Sequence, residues 1–232
     1  MFISNDEQTG RFTFEAEGST NPLNPYFIGK LSHPSQASGV TIGAGYDMGG
    51  RNALQVENEL VMAGLSSYVA AVLAQGAGLT GDAAGKFVKD NHTLMVEDIR
   101  VLRNLFAMDF PRYVTRARAS FNYHANNFQT AMCGYGTHYA NPTAFSWETL
   151  YPSIRVIAID LVYQGFGRQV GGYGKPIHLC MANNFDWLIH YIETSSGLNK
   201  YEAGRRRAPY LRARRDFEIL NDSQCTPDPI LV

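Results

Sequence analysis

Apolar and polar positions fall into two regimes along the chain. Residues 1–50 hold short apolar pieces at 11–15, 26–28 and 40–42, set among Gly, Ser, Asn and Pro. Pieces this short between turn formers predict strands and turns. From about Asn52 the spacing becomes helical, with Leu54, Val56, Leu60, Val61 and Leu65 on shared faces. A second short helix is predicted over 66–75. A Gly-rich break follows at 76–81, and Thr80 or Asp82 can cap the next helix. A longer helix begins near Thr93, with Leu94, Val96, Ile99, Val101, Leu102, Leu105 and Phe106 on a broad apolar face, and Pro111 is expected to end or kink it. Residues 121–150 show no period. Pro152 then opens a helix through Tyr163 that is apolar nearly all round, as a buried central helix would be. Residues 165–174 are a Gly-rich turn region, 177–192 and 199–220 read as two further helices, and 221–232 as a tail. The whole predicts an α+β fold in one domain spanning 1–232: a small strand-bearing N-terminal lobe, about 1–50, on a larger helical lobe, about 51–220.

Composition narrows the function classes. The chain has 232 residues, 45% hydrophobic and 18% charged, with a formal charge of −1. That is a packed globular composition, and its charge argues against a nucleic-acid-gripping surface. No apolar run is long enough for a membrane-spanning helix, so no membrane insertion is expected. The first fifteen residues lack a basic segment followed by an apolar one, so no secretory signal peptide is read there. Cys133, Cys180 and Cys225 are widely spaced, with no metal-binding pattern, and the six histidines form no ligand set. Familiar motifs fail on spacing: Gly43–Gly49 has one residue too many for a dinucleotide fingerprint, and Gly81–Lys86 one too few for a phosphate loop. Cys133 and His138 are close in sequence, which is not how a thiol nucleophile usually meets its base.

What remains is acidic and polar: Phe14-Glu-Ala-Glu17-Gly-Ser-Thr, then Ser38-Gly-Val-Thr41-Ile-Gly-Ala-Gly45-Tyr-Asp47-Met-Gly. Two carboxyl groups in different environments are the requirement of glycoside hydrolysis, one to protonate the leaving oxygen and one to activate water or stabilise the transition state. By spacing alone the same residues also describe a Gly-rich hairpin with surface acids.

The order Glu17-Gly18, then Thr41-Ile-Gly-Ala-Gly45-Tyr-Asp47-Met-Gly49, resembles the pesticin-type branch of the bacteriophage-lysozyme-like muramidases. That branch places its catalytic Asp after the Thr-Ile-Gly-x-Gly core. Ordinary phage lysozymes place it before the Thr, near the position of Ser35 here. Downstream, Ala158-Ile-Asp-Leu-Val-Tyr163-Gln164-Gly165 is similar to the family's buried central helix, and Asn184-Phe-Asp-Trp187 and Arg205-Arg-Arg207 resemble its last helices. The likeness covers about 12–50 and 150–215, and it implies a lysozyme-like fold.

The resemblance implies that Glu17 is the general acid, Asp47 the second carboxylate, and Thr41 the holder of the attacking water. As an acid, Glu17 needs a raised pKa, which partial burial would supply. Its rival is Glu15. In a strand both acids would face one way; at a helix end they diverge and only one can serve. Tyr46, Tyr163 and Gln164 are candidates for sugar contacts. The arginines between 205 and 215 could attract peptide-stem carboxylates or envelope phosphates, or form a solvated face with a few salt bridges to the acidic N-terminal lobe. The implied activity is cleavage of the β-1,4 bond between N-acetylmuramic acid and N-acetylglucosamine in peptidoglycan. Inversion is expected, with the carboxyls about 6.5–9.5 Å apart. No cofactor and no metal is required. Family members are bacteriocins, phage lysins and secretion-system effectors, so the implied setting is a toxin delivered to a target-cell periplasm without a signal peptide. Its implied partners are glycan strands and a periplasmic immunity protein. A chitin- or chitosan-type glycosidase and a non-catalytic wall-binding module are the competing readings.

Overall fold

The computed structural model describes residues 5–126, 146–166 and 183–221. These residues are mostly helical and carry one two-stranded antiparallel sheet, an α+β architecture. The chain divides into two compact units, one built from Phe14–Pro111 and the other from the residues before Phe14 together with those from Arg112 onward.

Two short helices, α1 (Asn5–Thr9) and α2 (Arg11–Ala16), are separated by Gly10 at φ 64°. The strand expected over 11–15 is therefore a helix. Alternation over five residues cannot tell the two apart, and a helix meets its backbone bonds without a partner strand.

The Phe14–Pro111 unit contains β1 (Thr41–Ile42) and β2 (Tyr46–Asp47), joined by a turn with Gly43 and Gly45 at φ 65° and 78°. Angles of that sign at both ends of the turn favour glycine. Three helices follow as the pattern predicts. The first, α3 (Ala53–Ala63), is capped by the Asn52 side chain on the Gln55 N–H and closed by Gly64; α4 (Ser67–Ala74) is capped by Ser66; α5 (Gly81–Asp90) follows Thr80. Val56, Leu60, Leu73, Leu102 and Leu105 are buried with Val40, Ile42 and Met48 in this unit's core.

The next helix, α6 (Ile99–Asn126), starts later than predicted. Met95 instead pairs with Lys30, and Asp98 accepts from the Arg100 N–H, which sets the helix start. Nor does α6 end at Pro111, which lies in its interior.

In the other unit a single 3₁₀ turn (Trp147–Thr149) precedes α7 (Pro152–Tyr163), with Pro152 in its first turn and every residue from Ser153 to Leu161 buried. This is the central helix that the all-round apolar pattern predicts. The helix expected over 177–192 is described only in part, as α8 (Phe185–Thr194). The helix expected over 199–220 is two, α9 (Ser196–Arg205) and α10 (Arg207–Asn221), broken where Arg206 turns left-handed at φ 57°. The break lets the Arg207 N–H bond to the Glu202 carboxylate at 2.9 Å.

Candidate active site

Thr41 and Asp47 face each other across the hairpin. Thr41 uses its own N–H and C=O on Ser32, both at 2.8 Å, so the pairing with Asp47 is of the non-hydrogen-bonded kind. Such pairs bring facing side chains closest, with Cα atoms about 4.5 Å apart. Alternation along the strands does the rest. Val40, Ile42, Tyr46 and Met48 are at most 1% exposed and form the core side. Thr41 and half-buried Asp47 share the opposite side.

The Asp47 carboxylate is held by backbone. Its Oδ1 accepts from the Gly39 N–H at 3.0 Å and the Gly49 N–H at 2.7 Å, while Oδ2 takes part in neither bond. The two glycines pack on each other: a β-carbon at Gly39 would stand 2.3 Å from the Gly49 Cα and 2.7 Å from Asp47 Oδ1. The Thr41 hydroxyl donates to the Gly39 carbonyl at 3.2 Å, so toward any further partner its oxygen can only accept.

Tyr46, expected as a sugar contact, is 1% exposed. Its ring lies beneath the Arg51 guanidinium, 4.4 Å from the centroid, and its hydroxyl donates to Glu59 at 2.5 Å. Being next to Asp47 in a strand, it points the other way, into the core. Burial, then the hydrogen bond and charge of Glu59, push the Tyr46 phenol well above its ordinary range. Sugar stacking on Tyr46 is thereby corrected: the ring orders charge beneath the hairpin and offers no open face.

Arg51 is the centre of that charge cluster and carries no motif in the local sequence that marks it. It bonds to the Asp47 carbonyl, to Glu59 at 3.2 Å and to Asp109 at 2.6 Å. Burial alone would lower its pKa, but Asp109, with Tyr46 and Glu59, outweighs this and holds it above its ordinary value. Burial also acts to raise Glu59, yet donors from Tyr46, Gln55 and Arg51 win and hold it below its ordinary value. Arg51 therefore ties the Asp47 backbone to α3 and α6.

Glu17 follows the last turn of α2, in the same unit as Thr41 and Asp47. It is half-buried, whereas Glu15, within the helix, is exposed. Glu15 is thus helical, Glu17 lies just past the helix end, and the two acids differ in burial. The neighbouring backbone is tied toward the hairpin: Ser19 pairs with Phe27, the Ile28 N–H bonds to the Ser19 carbonyl, and the Gly43 N–H bonds to the Ile28 carbonyl at 2.9 Å.

Tyr163 and Gln164 belong to the other unit. The Tyr163 ring packs on Tyr113 at 4.6 Å, and the Gln164 carbonyl oxygen accepts from Arg207. Arg207 and Asp160, both fully buried, pair at 2.8 Å, with Arg205 on the second Asp160 oxygen at 2.7 Å and Glu202 on Arg207 at 2.9 Å. Arg212 pairs with Glu193, Arg214 with Asp6, and Arg215 with Asp186 and Asp216. The arginine-rich segment is therefore largely matched by the chain's own carboxylates, but of these only Asp6 lies in the N-terminal stretch expected to supply them.

Among the described residues no group of three or more His, Cys, Asp or Glu is arranged to hold a metal, and no helix is long and apolar enough to cross a membrane. Cys133, His138, Cys180 and Cys225 lie outside the described residues. A family model described as Domain of unknown function (DUF8812) matches residues 10–196. Comparison with curated proteins finds no match.

Proposed function

The chain belongs to this family of unknown function (DUF8812), matched over residues 10–196; from its own residues we propose that it is a peptidoglycan hydrolase of the muramidase type with a lysozyme-like fold. The observation that carries the reading is the Thr41–Asp47 pair: a hydroxyl and a carboxylate on facing strand positions, opposite a fully buried core side. A half-buried Glu17 in the same unit supports it.

In the proposed reaction a water lies between Thr41 Oγ1 and Asp47 Oδ2. Both atoms accept, since the Thr41 proton is engaged by Gly39 and Oδ1 of Asp47 by two N–H groups. The water gives one O–H to each and turns a lone pair toward the anomeric carbon of N-acetylmuramic acid. As the C1–O4 bond breaks, Glu17 protonates O4 of the departing N-acetylglucosamine, and Asp47 takes the proton of the water. The product is inverted at C1. Glu17 is preferred to Glu15 because an acid must meet substrate inside a site, and Glu15 stands exposed on its helix. Tyr163 and Gln164, in the other unit, are proposed as sugar contacts in their own right, apart from the reacting groups, with the Gln164 carbonyl oxygen held by Arg207. The biological setting proposed with this activity is an antibacterial effector or toxin acting in a target-cell periplasm, restrained in the producer by an immunity protein.

The test is mass spectrometry of muropeptides released from sacculi by wild type, Glu15→Gln, Glu17→Gln and Asp47→Asn. Wild type and Glu15→Gln should release products ending in N-acetylmuramic acid; Glu17→Gln and Asp47→Asn should not. Full activity of Glu17→Gln, with loss in Glu15→Gln, overturns the acid assignment. Retention on sacculi with no product from any variant makes the chain a binding module.

A further inference from the structure

Tyr46 is buried and gives the hairpin no open ring, whereas the loop that follows Glu17 carries an exposed one. Tyr26 is 78% exposed, and Leu23 on the same loop 92%. Tyr26 follows Pro25, and its N–H bonds to the Asn24 side chain at 2.8 Å. The Leu23 N–H bonds in the same way to Asn21 at 3.0 Å, and the Asn24 N–H to the Asn21 carbonyl at 2.9 Å. Next in sequence, Phe27 and Ile28 are buried at 3% and 8% and anchor the loop in the core. The chain therefore places one aromatic inward and its neighbour outward at a fixed position.

The Tyr26 backbone lies against the two residues that follow the proposed acid. The Tyr26 carbonyl accepts from the Ser19 N–H at 3.1 Å, and a β-carbon on Gly18 would stand 3.0 Å from the same oxygen. Gly18 directly follows Glu17. Glycine here allows the Tyr26 backbone to lie against the residue that follows the acid.

We propose that Tyr26 is a sugar-binding residue, its ring stacking on the apolar face of a pyranose in a glycan strand bound beside Glu17. The chemistry is that of an amphipathic aromatic: an apolar ring to cover sugar C–H groups and a hydroxyl to bond with the sugar's own hydroxyls. The assignment rests on the muramidase reading for the identity of the strand, not for the exposure or placement of the ring.

The experiment measures binding to insoluble peptidoglycan sacculi by pull-down isotherm, in a Glu17→Gln background so that strands stay uncut. Tyr26→Ala is expected to weaken the apparent Kd about three- to tenfold, and Tyr26→Trp to restore it. The exposed position leaves folding intact, which circular dichroism checks. Equal binding by Tyr26→Ala, a Trp variant as weak as the Ala variant, or no sacculus binding at all overturns the assignment. Muropeptide release by the otherwise unmodified chain separates the two claims. If binding follows Tyr26 but nothing is cleaved, the hydrolase reading fails and the sugar platform stands. If cleavage occurs and binding ignores Tyr26, only the platform fails.

Discussion

Gly39→Ala probes the Asp47 support directly. The added methyl group would sit 2.3 Å from both the N and Cα of Gly49 and 2.7 Å from Asp47 Oδ1. Two of those neighbours are backbone and cannot swing aside, so the segments carrying Gly39 and Gly49 must separate. Overpacking of this kind costs roughly 1–3 kcal/mol. Separation also stretches the Gly39 N–H bond to Asp47, and a hydrogen bond to a charged group contributes about 1.5–3 kcal/mol. One displacement relieves the clash and breaks the bond together, so the terms do not add fully, and a loss of about 3 kcal/mol is expected. Gly50→Ala is the matched control, since a β-carbon there meets nothing within 4 Å, and it should stay within about 0.5 kcal/mol of wild type. Urea unfolding reads both as shifts of midpoint at constant slope. Muropeptide release should fall with Gly39→Ala, because Asp47 loses its orientation. If Gly39→Ala unfolds with the wild-type midpoint, or Gly50→Ala loses as much, the close-packed support for Asp47 is wrong.

Two further outcomes follow from the ion pairs. Asp160→Asn leaves Arg205 and buried Arg207 with one carboxylate fewer; breaking a buried pair costs about 3–5 kcal/mol, and Glu202, still bonded to Arg207, places the loss near the lower end. Thermal unfolding checks it, and a loss below about 1 kcal/mol contradicts the buried network. The second is a pH dependence. Glu59 is held below its ordinary value of 4.5 when folded, so its contribution is complete above that value and disappears as pH falls through the lower folded value. Urea midpoints taken between about pH 3 and 6 should therefore decline on acidification, and less steeply in Glu59→Gln. An identical decline in the variant would remove Glu59 from the linkage.

Much of the fold is legible in local sequence. Asn52 and Ser66 cap α3 and α4 where the apolar period begins, and Pro152 with an all-round apolar run marks α7. These signals act over a few residues, so no distant contact has to be known. The α2 helix is not legible because its five-residue alternation is too short to exclude either element. The late start of α6 depends on Met95 pairing with Lys30, 65 positions away along the chain. The site is legible unevenly. Thr41 and Asp47 fall on the same side once a glycine turn joins two strands, whereas Tyr46, one residue from Asp47, must fall on the other; that parity was available in the sequence. Arg51, Glu59 and Asp109 carry no such signal, since their meeting depends on how α3 and α6 lie against the hairpin. The arginines after 204 have a surface composition, but their partners, from Asp6 to Asp216, become visible only in the fold.

The most direct test of the proposed chemistry is the anomer formed first when the wild-type chain digests soluble glycan strands, followed by proton NMR before mutarotation. Water attacking from between Thr41 and Asp47, with Glu17 on the leaving oxygen, predicts that the α-anomer of the new reducing end appears first. A β-anomer appearing first, or no new reducing end at all, would contradict it.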